Sequence, residues 1–493
     1  MNYFYYDDNI RYPLDPPFGP SQIYPEYPFS DNRGTEGSAD NRVYDALRTV
    51  LVNSGLDRDY YGTPSWNPFG SWVNPGDTVL IKPNLVMDHD PAEPDPVRGL
   101  QCMITHPSIV RFVFDYTVIA LQGSGTIIVG DAPVQDCDFE NMKAKSGYGK
   151  LFDFVESILP EGIDFCCGDF RDTCLKRDNG MLIQSENTRK IFEGIVVDLG
   201  NDSYFRDYGQ KRRLRVTNYD GAQTVKHHTD GKNEYCINSS VLKADVIFNL
   251  CKPKTHRIAG FTGAMKNLVG MNSRKEFLPH HTKGYSRTGG DEYSDGQVLI
   301  KSINSIANDL KNRSMEKDHE RLTRFFDGIG RKTGKYLDSK QPDRYKFGMW
   351  HRNDTIWRTI LDLNHLVIYC DKNGKMSGKP QRRMINFGDM IVSGEKEGPL
   401  CPSYKYVGGI LFSDSAVEFD YILVHLMGFL PEMFPVMRHA IDDEQFRIAL
   451  PVILQSNDEQ FNGYVEKMKK SFAFIPTSGW KEIISPKHET EGS

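Results

Sequence analysis

Residues 244–270, ADVIFNLCKPKTHRIAGFTGAMKNLVG, decide how this chain is read. The opening ADVIFNL is a short apolar run without polar alternation, as expected of a strand buried on both faces of a parallel sheet. The chain then turns cationic, with Lys252, Lys254 and His256 in a short loop. Gly260 and Gly263 bracket a turn into a predicted helix that carries Lys266 and Asn267. Glycines let a backbone approach a ligand closely, and amides at a helix start favour an anion. The segment is not a P-loop, because no G-K-[ST] follows the glycines.

Two upstream segments repeat this strand-then-polar pattern. TVLIKPN (78–84) follows the turn NPGD and leaves Lys82, Pro83 and Asn84 at its carboxyl end. TIIVGD (126–131) leaves Gly130 and Asp131. Between them a helix is expected from Pro107 to near Gly123. Ligands of open α/β sheets bind beyond the carboxyl ends of the strands. The three segments therefore define one candidate site. His256, Lys266, Asp131 and Lys254 are its candidate catalytic residues. Lys82, Asn84, His106, Lys252, Gly260, Gly263 and Asn267 are its candidate binding residues. Tyr148, Arg274 and Lys275 are weaker candidates for the cleft wall, and His280 and His281 offer imidazoles downstream. Each has a plainer reading. Asp131 would cap a helix, His106 would order the helix start at Pro107, the glycines would serve packing, and the lysines would be solvated.

The expected fold is α/β, with two lobes of mainly parallel sheet flanked by helices and a ligand cleft between them. Residues 1–35 read as an extended arm that wraps the body through its aromatics. The first lobe covers 36–240, with a β-rich excursion at about 161–240 that includes GIVVDL and KRRLRVTNY. It begins with a helix at VYDALRTVLVNSG, capped by Asp40 or Asn41, and a further helical stretch is expected at 139–160. The second lobe covers 241–475. It carries a polar insertion at about 271–350 with one amphipathic helix near QVLIKSINSIANDL, and a loop at GEKEGPL. Residues 476–493 read as a charged tail.

At 493 residues, two or three domains are expected. The 60 basic and 66 acidic residues argue against nonspecific nucleic-acid binding. No apolar run approaches the ~18 residues that span a bilayer. The acidic, aromatic start lacks the pattern of a secretory leader, so the cytoplasm is the expected compartment. None of the nine cysteines forms a CxxC pair, and Cys166, Cys167 and Cys174 match no zinc or iron–sulfur spacing. The expected partner is a small anionic molecule, with no nucleic acid and no membrane; a homo-oligomer is left open.

The 244–270 run resembles the domain-of-unknown-function family 362, whose pattern reads AD-hydrophobic-N-P-K-x-K-T-H, then T-G-A-M-K-N-x-x-G. PGDTVLIKPNLV, THPSIVRFV and IIVGDAP occur in the family's order, and EGP with SDSAVEFDYILVHLMGF resembles its C-terminal half. The likeness runs from about residue 40 to 445. The same motif is distantly similar to the nickel-pincer lactate racemase family. That likeness implies Lys266 as the cofactor lysine, His256 as the first histidine, and His280 or His281 as the later one. Gly130 and Asp131 stand where the racemases have His-Arg, and THP stands where they have Thr-Arg-Pro, so one acid/base histidine is missing. Many relatives in family 362 carry ferredoxin-like cysteine clusters, which this chain lacks.

Three functions follow. The first is an isomerase, epimerase or lyase acting on a small carboxylate or phosphate, with His256 transferring a proton at a pKa near 7. The second is a metal- or nickel-pincer-dependent enzyme with His256 and His280 or His281 as ligands. His280–His281 and His227–His228 are adjacent pairs, whose neighbouring side chains rarely face one ion. The third is a non-catalytic binding or scaffold protein.

Overall fold

The computed structural model describes residues 1–29, 40–178, 181–339 and 345–484. Eleven strands form the main sheet. In chain order they are β1 (Asn2–Tyr6), β2 (Thr78–Lys82), β3 (Gly125–Asp131), β4 (Ile163–Asp169), β5 (Val246–Cys251), β6 (Lys254–His256), β7 (Gly260–Thr262), β8 (Arg383–Glu397), β9 (Cys401–Ser413), β10 (Ile453–Ser456) and β11 (Gly463–Tyr464). Their spatial order is β11-β10-β1-β9-β8-β5-β2-β3-β4, with β6 paired to β7 and β8. From β8 to β4 all neighbours are parallel, whereas β9 is antiparallel to β8 and to β1.

This is the expected α/β architecture, a mainly parallel sheet flanked by helices. The strands on either side of the expected boundary at residue 240 join one continuous sheet, because β5 inserts between β2 and β8. Helices α1 (Arg42–Asn53) and α2 (Pro107–Leu121) cover one face, packing on Val79, Ile81, Ile127 and Val246. The other face carries Leu80, Ile128 and Ile247, against Leu363, Leu366 and Val367. Alternate residues of one strand thus enter different cores, which is why those strands read as unbroken apolar runs.

Local signals explain the helix ends. The Asn41 side chain accepts from the Tyr44 amide and caps α1. Pro107 occupies the first turn of α2, and His106 caps it through Nδ1, which accepts from the Ser108 amide. The stretch expected to be helical at 139–160 is two helices, broken at Gly147 with φ +86°.

Several expectations are corrected. Residues 2–6 of the expected arm are a strand inside the sheet, paired on both sides. The KPKTH loop contains β6, and the GEKE of the expected GEKEGPL loop belongs to the long strand β8. KRRLRVTNY yields only a short turn of helix and two strand residues. The polar insertion holds two long helices rather than one, α3 (Val298–Glu316) and α4 (Glu320–Asp338). The expected tail contributes Trp480 to a core, and its residues 485–493 lie outside the described residues.

Candidate functional site

The carboxyl ends of β2, β3 and β5 converge, and the lysines predicted from them meet there. Lys82 is fully buried, and its Nζ donates to Asp131 Oδ1 at 2.8 Å, the Pro83 carbonyl at 2.9 Å and Asn267 Oδ1 at 3.2 Å. Asp131 Oδ2 accepts from the Leu85 amide at 2.7 Å, tying the end of β3 to the loop after β2. Gly270 lies against this ion pair. A Cβ there would stand 1.9 Å from Asp131 Oδ1 and 2.9 Å from Lys82 Nζ, so any larger residue would have to displace this ion pair.

A row of amides extends the network through the sheet. Asn267 Nδ2 donates to Asn249 Oδ1 at 2.8 Å, and Asn249 Nδ2 donates to Asn386 Oδ1 at 2.9 Å. Lys82, Asn249 and Asn386 sit in register on β2, β5 and β8. Sequence reasoning missed Asn249 and Asn386. The available signal was an asparagine inside an otherwise apolar buried strand.

Lys252 and Lys254 are also fully buried and fully engaged, so they are not solvated loop charges. Lys252 Nζ donates to Asp389 Oδ2 at 2.9 Å and to Tyr12 Oη at 2.7 Å. Lys254 Nζ donates to Asn84 Oδ1 and to the carbonyls of Met103 and Lys252. Burial lowers the pKa of both amines, and that of Lys254 falls well below the usual lysine value because Lys252 adds its own charge. The His106 ring stacks on Tyr12 at 4.1 Å, and the His106 amide donates to Asp389 Oδ2. Asp389 and Tyr12 were not predicted. Tyr148, a weak candidate for the cleft wall, is buried, and its hydroxyl donates to the Thr105 carbonyl.

The two glycines of the central motif do not cradle a ligand. Gly260, at φ +87°, is pressed against Phe434 and Trp480. Gly263 faces Asp420, whose carboxylate accepts from the amides of Ala264 at 2.6 Å and Met265 at 3.1 Å. The amides expected to bind a ligand anion therefore hold a carboxyl group of the chain itself. Burial pushes the Asp420 carboxyl up to about 8, against the pull of those two amides.

Lys266 differs from the other motif lysines. It is half-buried, and no hydrogen-bond or ion-pair partner for its amine occurs among the described residues. Burial, with the charge of Lys82, lowers it to about 8. Its charge acts on both His256 and His280. His256 Nδ1 accepts from the amides of Ile258 and Ala259, each at 3.1 Å, so in the neutral ring the proton sits on Nε2. His280 Nδ1 lies 2.7 Å from the Leu278 carbonyl and must donate to it, which leaves a lone pair on Nε2. The two rings thus carry opposite tautomers. Burial and Lys266 lower both, His256 to well below its ordinary value and His280 to about 4. The expected His256 pKa near 7 is corrected accordingly.

His281 belongs elsewhere. Burial, with the charges of His280 and Arg215, lowers it to about 3 against the pull of Asp309. The charge of Lys266 bears on His280, and this places His280 with the candidate site. Lys275 is more central than expected. It is buried, donates to the Ala132 carbonyl at 2.8 Å and is lowered to about 7 by burial, against the opposing charge of Asp131. Arg274 is tied to Glu276 at 2.8 Å. Beside these strand ends lies an open cleft of about 860 Å³ whose walls include Met87, Asp138, Asp169, Arg171, Arg189 and Arg257. The charge of Arg257 also weighs on the adjoining His256.

Among the described residues, no group of three His, Cys, Asp or Glu side chains is placed to hold a metal ion. The neutral His256 ring carries a proton rather than a lone pair on Nε2, since its Nδ1 accepts from two amides. This donor set does not fit the metal centre that the racemase likeness implied.

A mainly parallel α/β sheet with a lysine- and asparagine-bonded site at its strand ends is the class of protein seen here. The chain belongs to the family described as a domain of unknown function (DUF362), whose model matches residues 174–425. A thylakoid-associated protein of Synechocystis sp. is 23% identical over 241 residues, covering 49% of this chain. The chain spans about half the length of that curated relative, 52%. Among solved structures, a Thermotoga maritima protein matches at 10% identity and a TM-score of 0.28, over 74% of this chain and 55% of the other. The lactate racemase apoprotein of Thermoanaerobacterium thermosaccharolyticum matches at 12% identity and a TM-score of 0.23, over 64% and 43%. No helix among the described residues is long and apolar enough to cross a membrane.

Proposed function

We propose that the protein is an enzyme of the isomerase, epimerase or lyase type that acts on a small carboxylate or phosphate. One observation carries this reading: a half-buried lysine amine without a partner among the described residues stands with two histidines in opposite tautomers. As an ammonium, Lys266 holds the substrate anion. His280 Nε2 is the lone pair that takes a proton from the substrate carbon. The His256 Nε2–H donates to the oxyanion that then develops, as a neutral imidazole does without prior protonation. Bound anion offsets the charge of Lys266, so both imidazoles become more basic in the complex than in the free protein. Lys82, Lys252, Lys254 and Asp131 are positioning residues whose hydrogen bonds are made within the protein.

The test is a panel of small carboxylates and phosphates, read first as thermal stabilisation and then as turnover. A ligand that stabilises the wild type but not Lys266→Ala, and whose turnover is lost in His280→Gln, supports the reading. Unchanged binding and turnover in both Lys266→Ala and His256→Ala would refute it.

A further inference from the structure

The helical hairpin of the insertion carries an apolar face that none of the described residues covers. In α3, Leu299, Ile303 and Ile306 recur at helical spacing, with Leu299 73% and Ile306 52% exposed. In α4, Leu322 is 49% and Phe325 61% exposed. The opposite sides of both helices are occupied. Asn304 of α3 donates to the Gly330 carbonyl and Thr333 Oγ1 of α4, while Ser305 and Asn312 bond the body through Glu292 and the Tyr219 carbonyl. Antiparallel pairing on those sides turns both apolar stripes outward together.

The charges around the stripe are sorted. Arg321 and Lys332 lie four residues before and seven after Phe325, hence on its face, and both are exposed. Lys317 shares the face of Ile306 and Ile303 at the end of the α3 stripe. The acids Glu320 and Asp327 lie on another side, each tied to an arginine four residues on, Arg324 and Arg331. Residues 298–338 contain nine Lys and Arg against six Asp and Glu, in a chain whose formal charge is −6.

We infer that this face docks on an anionic lipid surface. Apolar side chains with a flanking aromatic enter the headgroup boundary, and the basic flank meets the lipid charge. Charge complementarity selects this occupant over a second copy, because two hairpins meeting face to face would bring like charges together.

The test is co-sedimentation of the full chain with vesicles of phosphatidylcholine alone or with about one-third phosphatidylglycerol. The wild type should pellet only with the anionic vesicles, and less at high salt. Leu299→Gln/Phe325→Gln and, separately, Arg321→Glu/Lys332→Glu should each lower binding by on the order of tenfold. The melting temperature should stay unchanged, since all four positions are exposed. Equal binding to both vesicle types, or to neither, would overturn the inference. So would a dimer that Leu299→Gln/Phe325→Gln dissociates, which would assign the face to a second copy.

Discussion

Lys266 sets a pH dependence of its own. Its pKa is lowered to about 8, so the ammonium is lost as pH rises through that value, far below the ordinary lysine range. Anion affinity should therefore fall above pH 8. Lys266→Arg, whose guanidinium stays charged, should keep its affinity well beyond that pH, as a titration of ligand-induced stabilisation would read. Asp420 gives a second prediction, with a different sign. Its folded pKa of about 8 lies above the ordinary carboxyl value, so the folded state binds the proton more tightly than the unfolded state. Its stabilising contribution is complete below about pH 4 and is lost progressively as pH rises toward 8. Asp420→Asn should flatten that slope in urea denaturation followed across pH. Asp420→Ala should cost about 1–3 kcal/mol more than the amide, because two buried amides lose their acceptor.

At the scale of elements, the short segments after β5 are held by close approach rather than by helix propensity. The helix carrying Lys266 has only four residues, Ala264–Asn267, too few to stand without tertiary support. Gly270 lets the following turn close on Lys82 and Asp131. Gly270→Ala should destabilise by about 1–3 kcal/mol or more by forcing this buried pair apart. Gly378→Ala, where a Cβ meets nothing within 4 Å, should stay within about 0.5 kcal/mol. Equal midpoints in urea for the two variants would show that the turn tolerates the methyl group.

At the scale of the molecule, the amino terminus is part of the site's foundation. β1 lies between β9 and β10, and six residues beyond it Tyr12 reaches Asp389 and Lys252. Tyr12→Phe keeps the ring on His106 but removes the hydroxyl between Lys252 and Asp389. A loss of about 1–3 kcal/mol is expected, read by chemical denaturation. Deleting residues 1–14 should cost far more, because β10 and β11 lose their connection to the sheet; a deleted protein with an unchanged melting temperature would contradict this.

The apolar runs at 78–82, 125–131 and 246–251 by themselves determined the parallel sheet, since burial on both faces leaves no polar alternation. They also pointed to the candidate site, because polar residues that end such strands gather at one edge. The sequence could not separate its lysines. Lys252, Lys254 and Lys266 look alike in a row, and only the fold supplies acceptors to the first two and leaves the third without one among the described residues. Nor could it show that Asp420, some 150 residues downstream, fills the amides after Gly263, or that His280 stands within reach of the Lys266 charge. Those outcomes rest on hydrogen-bond partners far apart in the chain, and a partner brought in by packing leaves no local pattern.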